Sequence, residues 1–184
     1  MAIAIDGTGS ITGISAGGLP DDSITAAELG TKTFVSYAVI CDEKAYNVDG
    51  GTFTSGDWRT RDLNTEITDP DGIVSISSNQ FTLGAGNYLI EWSAPGYQIQ
   101  RHVARLQNIT SGTADGLGTS MYTNDTVAVV TRSQGCARVT LTGSTTYEIQ
   151  HRAETTRANS GFGVDTGVSG VNSRYTVVEI YKEA

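Results

Sequence analysis

Two histidines, two cysteines and twenty acidic residues are the side chains with which this 184-residue chain could do chemistry. His102 stands between Arg101 and Val103, and His151 between Gln150 and Arg152. Neither has a nucleophile or a carboxylate at a motif spacing, so both read as structural residues on strands. Cys41 and Cys136 each lie in an apolar, strand-like run without the close C-x-x-C or H-x-x-x-H pairing of a zinc site. They read as buried free thiols. Asp69-Pro70-Asp71-Gly72 and Asn47-Val48-Asp49-Gly50 look faintly like calcium loops but lack the later bidentate Glu. Both are expected to be turns. There is no G-x-S-x-G elbow, no P-loop and no dinucleotide fingerprint, and Gly161-Phe162-Gly163 is a bare G-x-G. The reading is a non-enzyme with no catalytic residue, no cofactor and no metal ligand.

The basic residues are uneven in kind: nine Arg against three Lys. The planar guanidinium fork suits paired and interface sites better than open surface. Arg59 and Arg61 form one pair at strand spacing, Arg101 and Arg105 flank Val103, and Arg152 precedes Arg157. Three uses fit such a pattern. They are solvated cross-strand ion pairs, contacts between subunits, or a direct site for anionic glycans. The excess of Arg over Lys favours the second, and these six arginines are the candidate subunit-interface residues. A net charge of −8 argues against a partner with a phosphate backbone, so no nucleic-acid role is expected.

The elements that must position these side chains change character near residue 32. Residues 1–32 carry no aromatic residue and are rich in Gly, Ser, Thr and Ala. Thr25-Ala26-Ala27-Glu28 has capping-box spacing ahead of Gly30, which allows one short helical turn. The start lacks the basic and apolar regions of a signal peptide, and no run reaches the roughly 18 apolar residues of a membrane span. The expectation is an extended leader that becomes ordered on a neighbour.

From residue 33 the pattern is one of strands. Phe34–Cys41 is apolar and β-branched, and Trp58–Leu63 alternates. Tyr88, Ile90, Trp92 and Ala94 share one face of the next long run. Further strands are expected at 73–76, 81–83, 99–109, 126–132, 137–141, 146–153 and 174–181. Asp-Gly and Gly-x-Gly breaks separate many of them, and the remaining glycines are taken to mark turns. About ten short antiparallel strands without a helical window indicate an all-β sandwich of jelly-roll type. The segments Ser111–Asn124 and Asn159–Ser173, rich in Gly, Thr and Ser, are expected to be exposed recognition loops.

Several stretches resemble segments of phage tail-fibre and related virion proteins. They are Gly51-Thr52-Phe53-Thr54-Ser55-Gly56-Asp57-Trp58-Arg59-Thr60-Arg61-Asp62-Leu63-Asn64-Thr65, Phe81–Ile90, Gln150–Arg157 with Gly161-Phe162-Gly163, and the closing Tyr175–Ile180. The β-rich part also resembles the C1q/TNF-like jelly roll. The opening, with Ile11-Thr12-Gly13-Ile14 and Gly18-Leu19-Pro20-Asp21, is similar to N-terminal leaders of phage structural proteins. The resemblance implies a homotrimer located in the virion, of tail-fibre or spike type. In it, residues 1–32 would anchor residues 33–184 to other virion proteins, and the domain could contact a glycan or protein of the host surface. The alternative implied is a capsid-decorating head fibre or cement protein of the same fold.

Overall fold

The computed structural model describes residues 33–184; the leader, its helical turn and its anchoring role lie outside the described residues. Twelve strands run in chain order: β1 (Phe34–Lys44), β2 (Arg59–Thr60), β3 (Thr65–Thr68), β4 (Val74–Ser77), β5 (Gln80–Leu83), β6 (Gly86–Tyr97), β7 (Gln100–Asn108), β8 (Ala114–Leu117), β9 (Met121–Thr123), β10 (Val130–Leu141), β11 (Thr145–Ala153) and β12 (Ser173–Glu183). No helix occurs among the described residues. A five-stranded sheet has the order β10-β6-β12-β1-β3. A seven-stranded sheet has the order β4-β5-β11-β7-β8, with β2 added on β11 and β9 on β7. Every pairing is antiparallel.

The alternation read from residues 88–94 is the alternation of the core. Tyr88, Ile90, Trp92 and Ala94 are buried and pack with Ala38, Ile40, Val178 and Ile180 of the same sheet. Ala104, Leu106, Tyr147 and Ile149 close the core from the other sheet. The result is a sandwich of two antiparallel sheets, the jelly roll expected from the strand pattern.

Four local expectations are corrected. Trp58–Leu63 is not one strand: only Arg59 and Thr60 pair with β11. The chain then crosses to the five-stranded sheet, where Thr65 pairs with Cys41. Arg61 and Leu63 alternate inward because the crossover passes through the core, and both are fully buried. Thr126–Arg132 starts later than expected. The Asn124 side chain accepts from Thr126 N at 2.8 Å and Val127 N at 3.1 Å, so the chain turns there before β10 begins.

The third correction concerns Ser111–Asn124, which is no free loop. It holds β8 and β9, both paired to β7. The fourth concerns Cys136, which is exposed whereas Cys41 is buried. Ala137 takes the inward position of that part of β10, so its neighbour must face out.

Four glycines taken as turn markers lie within strands: Gly86 and Gly96 on β6, Gly116 on β8 and Gly135 on β10, the last two against Trp92. A Cβ at Gly116 on β8 would stand 2.7 Å from the Trp92 indole, and one at Gly135 on β10 would come closer still. The ring occupies the space that two side chains would need. Gly135→Ala should therefore cost about 1–3 kcal/mol through overpacking. A urea titration reads this as a lower midpoint at unchanged slope; an unchanged midpoint would show that the indole has other room.

The turn expected at Asp69–Gly72 is present, whereas at Asn47–Gly50 the turn falls earlier, with Val48 N donating to the Ala45 carbonyl, and Gly50 N reaches the Gly163 carbonyl instead. Asp69 accepts from Ile73 N and Val74 N, both at 2.9 Å, and so caps the entry to β4 with its own carboxylate.

Candidate functional site

β7, β9 and β11 lie side by side, and their register places four outward side chains in one patch. Tyr122 on β9 stands opposite Arg101 on β7. Arg152 on β11 stands opposite Val103, the next outward residue of β7. Side chains directly opposite across a ladder are about 5 Å apart at Cβ, and diagonal ones about 7–8 Å. Together with Ser55 and Gly56 from the loop before β2, these residues line an open cavity of about 710 Å3.

The charges in this cavity are unequal in their partners. Arg101 donates from Nη1 to both carboxylate oxygens of Glu154, at 3.0 and 3.1 Å, and is 78 % exposed. Arg152 donates from Nη2 to the Gly56 carbonyl at 3.3 Å. No carboxylate lies within ion-pair distance of Arg152 among the described residues. One guanidinium is neutralised and the other is not, so the cavity carries one uncompensated positive charge. Tyr122 is 53 % exposed beside it.

Behind this patch, on the core side of β7, His102 is buried, its ring turned away from Arg101 and Val103 by the alternation of the strand. Its Nδ1 lies 2.9 Å from Nε2 of the buried His151, and its Nε2 lies 2.8 Å from Thr131 Oγ1. The Thr131 hydroxyl donates onward to the Tyr122 carbonyl at 3.4 Å. That direction sets the tautomers. Thr131 accepts from His102 Nε2–H, so His102 Nδ1 is a bare acceptor for His151 Nε2–H. His151 Nδ1 then carries a lone pair and no proton, and it has no hydrogen-bond partner. A bare acceptor is the less costly group to leave unmatched there.

Burial, and then the Arg61 charge, bring the His102 pKa down to about 4. The same two causes, with His102 as a third, hold His151 well below its ordinary value. Both rings are neutral at physiological pH. Each ring nitrogen of His102 is engaged by a partner inside the sandwich.

The six arginines assigned to subunit contact from the sequence do not share one surface. Arg61 is corrected outright, because its side chain is fully buried within the chain. It donates to Thr176 Oγ1 at 2.7 Å, to the Phe162 carbonyl at 2.8 Å and to the Pro95 carbonyl at 3.2 Å. Its guanidinium also lies 4.1 Å from the Phe162 ring centroid. Burial lowers its pKa to about 9, which still leaves it charged at neutral pH.

Arg105 donates to Gln150 Oε1 at 2.6 and 2.9 Å and covers the Trp58 ring at 4.0 Å. Arg59 donates to the Thr54 carbonyl at 3.0 Å. Arg157 lies 5.4 Å from the Tyr97 ring centroid. Arg101, Arg105 and Arg152 are outward on the seven-stranded sheet. The pairing of His102 with His151, and the place of Tyr122 beside Arg101, had no sequence signal. The partners are 49 and 21 residues apart, and only strand register brings them together.

A second surface is the outer face of the five-stranded sheet. Tyr37 pairs with Tyr181, Tyr181 with Leu89, and Glu179 with Glu91. A shallow cavity of about 330 Å3 there is lined by Glu91, Ser93, Gln134, Cys136, Val177 and Glu179. Tyr37 is 47 % exposed and Val35 50 %.

No protein-family model matches the chain, and no curated protein matches it. Solved structures do. The globular domain of zebrafish complement 1qA is 15 % identical, with a TM-score of 0.51, over 80 % of this chain and 96 % of that one. Murine APRIL, in its crystal structure at pH 5.0, is 8 % identical, with a TM-score of 0.53, over 80 % of this chain and 98 % of that one. The vertex protein P5 of PRD1 is 9 % identical, with a TM-score of 0.48, over 83 % of this chain and all of that one. Residues 33–184 thus fold as a jelly roll like those of the C1q globular domain and APRIL.

Proposed function

We propose that this protein is a non-catalytic structural component of a phage particle, a homotrimer of tail-fibre or spike type. The observation that carries the trimer is the outer face of the five-stranded sheet. Tyr37, Val39, Leu89, Val177 and Tyr181 surround the facing carboxylates of Glu91 and Glu179. An antiparallel sheet with one wet face ordinarily shows polar side chains there. Apolar and aromatic side chains exposed around two carboxylates mark an interface with a polar centre, and closed symmetry limits assembly to a defined oligomer. Like charges directly opposite one another destabilise an isolated sheet; the Tyr181 hydroxyl donates to Glu179 at 2.7 Å, and a donor from a neighbouring subunit would relieve Glu91.

The C1q/TNF-like fold supports a trimer as the form of that oligomer, and the resemblance of residues 51–65, 81–90, 150–157 with 161–163, and 175–180 to virion proteins supports the location. The leader of residues 1–32 is the proposed attachment to other virion proteins. In this arrangement Arg101, Arg105 and Arg152, on the opposite sheet, face outward from the trimer.

Light scattering on the purified full chain should give three times the chain mass. Leu89→Arg should convert it to monomer without loss of strand content by circular dichroism. A wild-type monomer at micromolar concentration would sink the proposal. Antibody labelling of particles then separates the fibre from the capsid-decoration reading: label at the tail supports the first, and label over the head overturns it.

A further inference from the structure

We infer that the cavity between β7, β9 and β11 is a binding site for an acidic saccharide, a pyranoside bearing one carboxylate. Three features of the site carry this. The first is the single uncompensated cation. Arg101 is held by Glu154, whereas Arg152 keeps a guanidinium edge bonded only to the Gly56 carbonyl. A guanidinium with donors to spare binds a carboxylate with charge-assisted hydrogen bonds.

The second feature is Tyr122, a half-exposed aromatic ring on the strand beside Arg101. Sugar rings have an apolar C–H face that packs on such a ring, while the phenol hydroxyl stays wet. The third is the rigid support. The residues are held on three paired strands, and behind them the hydrogen bonds from His151 through His102 and Thr131 brace the Tyr122 carbonyl from the core side. A preorganised site loses less entropy on binding.

The same features select against other anions. Glu154 sits in the wall and the chain carries a net charge of −8. A polyphosphate or nucleic acid would bring several charges to one free cation and be repelled by the rest. A neutral sugar would use Tyr122 but leave Arg152 without its anion. The inference stands on this site alone and does not depend on the subunit number or on the place of the protein in a particle.

The test is saturation-transfer NMR on the full chain with two probes, methyl β-D-glucuronide and its neutral twin methyl β-D-glucoside. The glucuronide should show transfer at millimolar concentration, about tenfold stronger than the glucoside. Arg152→Ala should erase that difference, and Tyr122→Ala should remove transfer to both. Both side chains are exposed, and an unchanged melting temperature confirms that the variants are folded. Absence of transfer to the glucuronide, equal transfer to both probes, or a preference that survives Arg152→Ala would each overturn the inference. The light-scattering mass reads a different property, so either proposal can fail without the other.

Discussion

Arg61→Ala should unfold this domain or bring it close to unfolding. The wild-type guanidinium is fully buried and joins four pieces of chain. It lies on the crossover from β2 to β3 and donates to Thr176 of β12, to Pro95 of β6 and to Phe162 of the loop before β12. Its own backbone N–H reaches the Ile149 carbonyl of β11 at 2.8 Å. Truncation withdraws charged donors from three buried oxygens, leaves a cavity and removes the contact on the Phe162 ring. Each buried acceptor left unmatched costs about 1–3 kcal/mol, so three of them weigh heavily against a total stability of about 5–15 kcal/mol for an ordinary domain.

Arg61→Lys should recover little, because one ammonium cannot serve three acceptors set in a fork. Urea unfolding of wild type and both variants measures the difference. A loss below about 1 kcal/mol for the alanine variant would show that water replaces the guanidinium.

Acid should destabilise the domain through the histidine pair. In the unfolded chain each histidine titrates near its ordinary value of about 6.5. In the folded chain His102 titrates at about 4 and His151 well below its ordinary value. The unfolded state therefore binds more protons, and stability rises with pH across this window. The contribution is complete above about pH 6.5 and is lost as pH falls toward the folded values. For His102 alone, lowering the pH from 6.5 to 4 removes about 3 kcal/mol, at about 1.4 kcal/mol per pH unit.

Carboxylates in ion pairs add to the loss at the acid end, so the comparison must be internal. Unfolding midpoints at pH 7.5, 6.0 and 5.0 should fall steeply in wild type and more gently in a His102→Gln, His151→Gln double variant. Parallel slopes would mean that the pair is hydrated or already opens in the native state.

How much was legible beforehand differs residue by residue. The face shared by Tyr88, Ile90, Trp92 and Ala94 could be read from spacing alone, because a strand turns each side chain by half a revolution. β1, β5, β6, β7, β11 and β12 followed from the same alternation, and the turn at Asp69 from its Pro-Asp-Gly chemistry. Arg61 is not at a subunit contact as the excess of Arg over Lys suggests, and only the crossover through the core shows where three oxygens wait for it. Gly116 and Gly135 were misread because a glycine in sequence signals a turn as readily as a close approach. β8, Ala-Asp-Gly-Leu, has almost no β-propensity of its own, and its pairing with β7 makes it a strand.

The amino-acid sequence by itself determined the class of this molecule: an all-β sandwich beginning near residue 33, poor in Lys, acidic overall and without a motif for catalysis. Those properties live in composition and in a period of two, which are local. The tertiary structure alone decided that His102 meets His151, that Tyr122 stands beside Arg101, and that Arg152 is left with spare donors while Arg61 is not. Each of these depends on which strand pairs with which and in what register. A shift of one residue would turn every side chain of a strand to the other face, so register is set by the packing of the whole core and not by any one segment.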